Sequence, residues 1–279
     1  MVTYPKPLAP PMNLVPIADG HDPRLVPYRQ LSDAVLLRQH GLFVAEGRLI
    51  VERLLAETGY QVESLLVNPA SLVALGHVLE ARALEAPVFL CSNDAFAGMT
   101  GFNLHRGCLA LVRRPPLATW REAVAGARLA VVMEGVTNAD NVGGVFRNAA
   151  AFGAGAVLLS PTCCDPLYRK AVRTSMGTVL RVPFARLAPW PFACADLRSE
   201  GFTIVALTPR EPSMTVETFA ASHAAGRVAL LVGTEGPGLT DAAEESADLR
   251  VRIPTAAAVE SLNLAVATGI ALSRLARLR

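Results

Sequence analysis

The sequence of 279 residues has little of what would mark a membrane span, a metal centre or a common nucleotide site. No apolar run reaches the roughly 18 residues that a transmembrane helix needs. The Pro-rich opening MVTYPKPLAPPMNLVP is unlike a signal peptide and reads as a flexible arm, which leaves the cytoplasm as the expected compartment. Cys91, Cys108, Cys163, Cys164 and Cys194 form no CxxC pair and no cysteine–histidine cluster. Reduced thiols in apolar surroundings are therefore expected, and no metal. His105 and His223 are isolated, and no Ser–His–Asp pattern emerges. No GxxxxGK[ST] occurs, which excludes a P-loop, and no GxGxxG follows the apolar segment LAVVMEG, which argues against a Rossmann dinucleotide site. Lysine is nearly missing: 24 of the 26 basic residues are Arg. Arg suits phosphates and base faces better than Lys does, but a net charge of +2 does not by itself announce a polyanion.

What is present is apolar. Hydrophobic residues make up 52% and charged residues 18%, enough for a substantial core in one large or two small domains. A break falls near residues 114–127, where the Pro pair of RRPPL is followed by AVAGAR. Residues 1–115 read as the arm plus a small α/β domain. In it FVAEGRLIVERLLAETG has helical periodicity, VESLLVN, PVFLCS and GCLALVRR read as strands, SLVALGHVLEARAL as a helix and NDAFAGMTG as a helical turn. Residues 116–127 read as a linker. Residues 128–279 alternate more cleanly, with strands at LAVVMEG, AVLLSP, TIVALTP, VALLVGTEG and DLRVRIP. Helices lie at NVGGVFRNAAAFG, DPLYRKAVRTSMG and SLNLAVATGIALSRLARLR. Continuous apolar strands imply a parallel sheet covered on both faces, with ligands beyond the carboxyl ends of its strands.

Three constellations fall at such ends. Asn138–Asn148 opens a helix that Asp140 or Asn141 can cap, and Arg147 is the one charged group among Val145, Phe146, Ala149, Ala150 and Phe152. A snorkelling surface Arg and a functional Arg are both open readings. Gly233–Leu239 places three glycines in six residues around Glu235, which suits a ligand loop better than an ordinary turn. Ile253–Leu264 ends a strand, passes through small residues and reaches Ser261 and Asn263, which are good helix caps and good hydrogen-bond partners. A basic group, Arg147, Arg169, Lys170, Arg173, Arg181 and Arg186, is either a solvated face or a polyanion surface.

In this order and spacing, the three stretches resemble the motifs of the SpoU (TrmH-like) branch of the SPOUT RNA methyltransferases. Asn141, Gly143, Arg147 and Phe152-Gly153 match the first, Gly233 to Leu239 the second, and Ile253 to Asn263 the third. The resemblance covers about residues 128–279. Phe43–Arg48 and Gly107–Ala110 more weakly resemble the ribosomal-protein-like RNA-binding domain that precedes the catalytic domain in many members.

The resemblance implies a parallel-sheet α/β catalytic domain with a deep trefoil knot, S-adenosyl-L-methionine as cofactor and a ribose 2′-hydroxyl as acceptor. It implies RNA as partner, rRNA before tRNA, and a homodimer to which the apolar final helix, with Leu272, Leu275 and Leu278, contributes. Arg147 is then the central catalytic residue, supported by Asn141, Glu235, Ser261 and Asn263. The cofactor is expected against Leu207, Thr208, Pro209, Val232, Gly233, Thr234, Gly236, Ile253, Ser261 and Leu262. Two departures from the family pattern stand out. Gly144 replaces Ala or Ser, which is expected to be harmless, and Thr255 and Ala257 replace Met and Gly, which bears on cofactor affinity. A non-catalytic RNA-binding protein of the same fold and an ordinary nucleotide-dependent enzyme are the competing readings.

Overall fold

The computed structural model describes residues 12–29, 31–56, 59–93, 96, 107–222, 226–256 and 261–276. By contacts the chain divides into two compact units, Met1–Pro115 with Leu167–Arg169, and Pro116–Pro166 with Lys170–Arg279.

The first unit carries strands β1 (Leu14–Ile17), β2 (Leu42–Glu46), β3 (Val62–Val67), β4 (Val88–Cys91) and β5 (Cys108–Arg113), with helices α1 (Val26–Arg29), α2 (Asp33–His40), α3 (Arg48–Ala56) and α4 (Pro69–Arg82). They form a mixed sheet in the order β1-β4-β3-β5-β2. Two readings change here. Leu14–Ile17 is no arm but an edge strand parallel to β4, since Val15 and Pro16 lie in register with Phe89 and Leu90. The helical segment read from Phe43 starts only at Arg48, because Phe43–Glu46 pairs with β5 and buries its side chains. The turn read over residues 93–101 lies largely outside the described residues, as do His105 and His223.

The second unit is built on a seven-stranded sheet in the order β10-β12-β9-β11-β6-β7-β8, parallel throughout. Its strands are β6 (Leu129–Met133), β7 (Ala156–Leu159), β8 (Phe184–Arg186), β9 (Phe202–Leu207), β10 (Met214–Thr215), β11 (Arg227–Val232) and β12 (Leu249–Arg252). Helices α5 (Trp120–Ala123), α6 (Ala139–Ala151), α7 (Arg169–Thr174), α8 (Ala193–Ser199), α9 (Val216–Ser222), α10 (Asp241–Glu245) and α11 (Leu264–Leu275) connect and cover it. The unbroken apolar strands are buried on both faces, as covered parallel strands must be. Each fully buried Val, Leu or Ile contributes on the order of 1.5–3 kcal/mol.

Residues 120–127 are not linker. Trp120, Ala123, Val124 and Ala127 enter the core with Ala130, Val132 and Leu197. A capping box between Thr119 and Glu122 starts α5. The short elements β8, β10, α8, α9 and α10 carry too little periodicity to stand out in the sequence. No described helix is long and apolar enough to cross a membrane.

Chain order places β6, β7 and β8 outward in one direction before β9 crosses back to the other side of β11. Such a reversal opens a crevice at the carboxyl ends of the strands. Beyond β12 the chain returns to α11, which packs on α6 and α9. Leu272 of this helix is buried within the protein's own core, so it is not a contact surface. Leu275 is half-buried, Leu278 lies outside the described residues, and the exposed apolar side chain near the helix start is Val266, at 52% exposure.

Candidate functional site

The carboxyl ends of β9, β11 and β12 open into one cavity of about 610 Å³, within the roughly 300–1,000 Å³ of small-molecule sites. Leu207, Thr208 and Pro209 leave β9; Val232, Gly233, Thr234 and Gly236 leave β11; Ile253 follows β12; Ser261 and Leu262 precede α11. All ten line this one space, with Glu235 and Asn263 beside them.

The β11 loop owes its shape to glycine. A Cβ on Gly233 would sit 2.2 Å from the Gly238 carbonyl carbon, so only glycine lets the loop fold back on itself. Thr234 and Gly238 pair across it, the Gly238 N–H donating to the Thr234 carbonyl at 3.1 Å. Gly236 and Gly238 have φ of +83° and +75°, which favour glycine. This turn projects Glu235 toward α11.

Asn263 is the N-cap of α11. Its Oδ1 accepts from the backbone N–H of Ala265 at 3.0 Å and of Val266 at 3.2 Å. Its Nδ2 donates to Asn141 Oδ1 at 3.0 Å and to Glu235 Oε1 at 2.6 Å. One amide thus joins all three sequence constellations. Both of its hydrogens and both acceptor sites are used, so Asn263 orients its neighbours rather than binding substrate itself. Asn141, at 5% exposure, is the buried member of the trio.

Asn138, not Asp140 or Asn141, caps α6, accepting from the Asp140 N–H at 2.9 Å. Asp140 instead pairs with Lys170 at 2.7 Å and accepts from the Thr174 hydroxyl at 2.8 Å. That pairing, with the hydrogen bond from Lys170 foremost, holds its carboxyl below the ordinary aspartate range. Arg147 lies outside the cavity wall on the exposed side of α6 and makes no hydrogen bond or ion pair to any described residue. It stands apart from the Asn141–Asn263–Glu235 trio. Arg186, counted in the basic group, is structural: it donates to the Ser160 and Cys163 carbonyls at 3.0 and 2.7 Å.

Gly144 is not a neutral replacement. A Cβ there would lie 2.6 Å from the Ala265 Cβ, so glycine lets α6 approach α11 closely. Asn148 completes this seam by donating to the Ala265 carbonyl at 2.6 Å. Ala257 lies outside the described residues, while Thr255 lines the cavity.

Sequence reasoning missed Glu244, which lies beneath the cavity. Thr208 donates its hydroxyl to Glu244, a carboxylate only 3% exposed, which also pairs with Arg250 at 3.3 Å. Thr208 was expected from its place at a strand's carboxyl end, whereas Glu244 carried no signal in the sequence. No group of three or more potential metal ligands occurs among the described residues.

The SpoU rRNA Methylase family model matches residues 128–273. A Mycobacterium bovis relative named as a tRNA/rRNA methyltransferase is 41% identical over 259 residues, 91% of this chain and 89% of its own. Bacillus subtilis RlmP, a 23S rRNA (guanosine(2553)-2′-O)-methyltransferase, is 29% identical over 235 residues, 82% of this chain and 86% of its own. The crystal structure of an AdoMet-bound rRNA methyltransferase from Sinorhizobium meliloti has a TM-score of 0.79 at 24% identity, covering 94% of this chain and 97% of its own, and so shares the fold. With two of its motifs lining one cavity and the first joined to them through Asn141, this chain belongs to the SpoU rRNA methylase family of RNA methyltransferases.

Proposed function

We propose that this protein transfers a methyl group from S-adenosyl-L-methionine to a ribose 2′-hydroxyl of RNA, with rRNA as the substrate. The observation that carries this reading is the Asn263 amide, which ties Asn141 and Glu235 together at the rim of a glycine-cradled cavity. The cavity suits the cofactor. Leu207, Val232, Ile253 and Leu262 offer apolar walls for a purine, and the loop through Gly233 and Gly236 brings backbone close to a ligand. The name of the Bacillus subtilis relative supports rRNA over tRNA and the 2′-oxygen as acceptor.

When bound, S-adenosyl-L-methionine supplies a methyl carbon already activated by a positively charged sulfur. The protein then has to place the acceptor and let its proton escape. A methyl group so activated would be open to the 2′-oxygen, S-adenosylhomocysteine would leave with the bonding electrons, and the hydroxyl proton would pass to solvent water. Arg147, exposed and without a partner among the described residues, holds the phosphate next to the target ribose. A planar guanidinium is a poor base and a good phosphate ligand. Asn141, its Oδ1 held by Asn263, directs its own Nδ2 away from that bond and toward the acceptor. Glu235 keeps one oxygen for substrate while the other accepts from Asn263. Ser261 shapes the cavity wall at the reacting ribose.

The reading includes a trefoil knot. It is supported by the return of the chain from β12, on one side of β9, to Asn263, which bonds residues following β11 and β6 on the other. It also includes a cytoplasmic homodimer, with exposed Val266 of α11 in the contact. Calorimetry tests the cofactor directly: S-adenosylhomocysteine binds and NAD does not. Binding of NAD alone would assign the cavity to another chemistry.

A further inference from the structure

We propose that Glu134, which none of the family motifs includes, is a positioning residue that anchors the cavity loop Gly233–Thr240. The proposal deepens the methyltransferase reading above and rests on it for its effect on the cofactor.

Glu134 follows β6 directly and is 7% exposed. No cation neutralises it among the described residues. Three neutral donors converge on its carboxylate instead: the Trp190 indole N–H at 2.7 Å, the Thr240 backbone N–H at 2.8 Å and the Thr240 hydroxyl at 2.8 Å. A buried carboxylate is costly unless it is fully hydrogen-bonded, so a site that keeps one needs its geometry. That geometry joins two ends of the loop. The Glu134 backbone N–H donates to the Val232 carbonyl at 2.9 Å, where the loop leaves β11, and the Glu134 side chain holds Thr240, where the loop ends.

Between these anchors Glu235 reaches Asn263. Beyond them, Thr240 caps α10, and α10 presents Glu244 to the Thr208 hydroxyl on the cavity's other wall. A shift of Glu134 therefore moves both walls. Glutamine is nearly the same size but presents an N–H₂ to donors on either side, so one opposed pair is unavoidable.

Glu134→Gln, Thr240→Val and Thr240→Ser separate the roles. Thr240→Ser keeps both donors and behaves as wild type. In the ligand-free protein, amide hydrogen exchange across residues 233–240 rises at least tenfold in Glu134→Gln and in Thr240→Val. In both, the KM for S-adenosylmethionine rises about tenfold while the KM for RNA stays within twofold. Should Glu134→Gln not fold, the Thr240 pair carries the test. Wild-type exchange across the loop in Thr240→Val, or an equal loss in Thr240→Ser, would overturn the proposal. The exchange measurement needs no ligand, so failure of the cofactor assignment shows separately, as wild-type protein that does not bind S-adenosylhomocysteine.

Discussion

Asn263 and Asn141, separated by 122 positions in the sequence, are joined by a 3.0 Å hydrogen bond from the Nδ2 of the first to the Oδ1 of the second. The direction of this bond is set by backbone. Because Asn263 Oδ1 accepts two N–H groups of α11, its Nδ2 has to face Asn141 and Glu235. Asn263→Asp keeps the cap but removes both donations and places a second carboxylate against Glu235. The expected result is at least a 100-fold loss of transfer, about 2.7 kcal/mol in the barrier, with stability changed by less than about 1 kcal/mol. Two close carboxylates share a proton more readily at low pH. The variant therefore retains a larger fraction of wild-type activity at about pH 5.5 than at about pH 8. Parallel rate and melting measurements check both parts.

The contact between Gly144 and Ala265 carries a second prediction. In an open helix Gly→Ala adds up to about 1 kcal/mol. Here the new Cβ meets another at 2.6 Å, and overpacking costs about 1–3 kcal/mol. Gly144→Ala should lower the melting temperature, and Ala265→Gly in the same chain should recover most of the loss. A double-mutant cycle measures the coupling; additive effects would show that the two positions do not share a contact.

This seam also shows what a sequence conceals. Five of the seven β strands of the second unit and the three loops at their ends were legible because a covered parallel sheet makes continuous apolar runs and ligand loops collect glycine. Gly144 could not be read as a packing residue, since its partner Ala265 is far away in the chain and equally plain. Glu244 and Glu134 were invisible for a related reason: a carboxylate's role depends on which donors the fold brings to it. Leu14–Ile17 was taken for an arm because Pro16 suits an edge strand as well as a coil. Trp120 was assigned to a linker because its capping box spans only four residues.

Asp140 gives a prediction in pH. Its carboxyl is held below the ordinary range chiefly by Lys170, so the charged form favours the folded state. That stabilisation is present above the unfolded aspartate value and is lost as pH falls through the folded one. Asp140→Asn should therefore be less stable than wild type at neutral pH, and the difference should close in strong acid. Both side chains are about half exposed, so the gap is small and shrinks with added salt. Urea titrations across pH measure it, and a gap that widens in acid would contradict the sign.

The thiols should be inert in the native protein. Burial pushes Cys108 up to about 12, and burial, with the adjacent Cys163 thiol and Asp165 carboxylate, does the same to Cys164. At pH 8 only on the order of one in ten thousand of such groups is thiolate. Disulfide reagents should label these two only after denaturant is added. Rapid labelling of either in folded protein would place it at the surface.

Arg147 meets no described protein partner, while Asn141, Glu235 and Asn263 hold one another. The role proposed for it lies with the RNA. The decisive measurement is transfer of a labelled methyl group from S-adenosylmethionine to rRNA, followed by digestion to nucleosides, for wild type and Arg147→Ala. Wild type should yield a 2′-O-methylated nucleoside. Arg147→Ala should yield at least 100-fold less while binding S-adenosylhomocysteine within a few-fold of wild type. Label on a base instead of a ribose, or an Arg147→Ala enzyme as active as wild type, would contradict the mechanism.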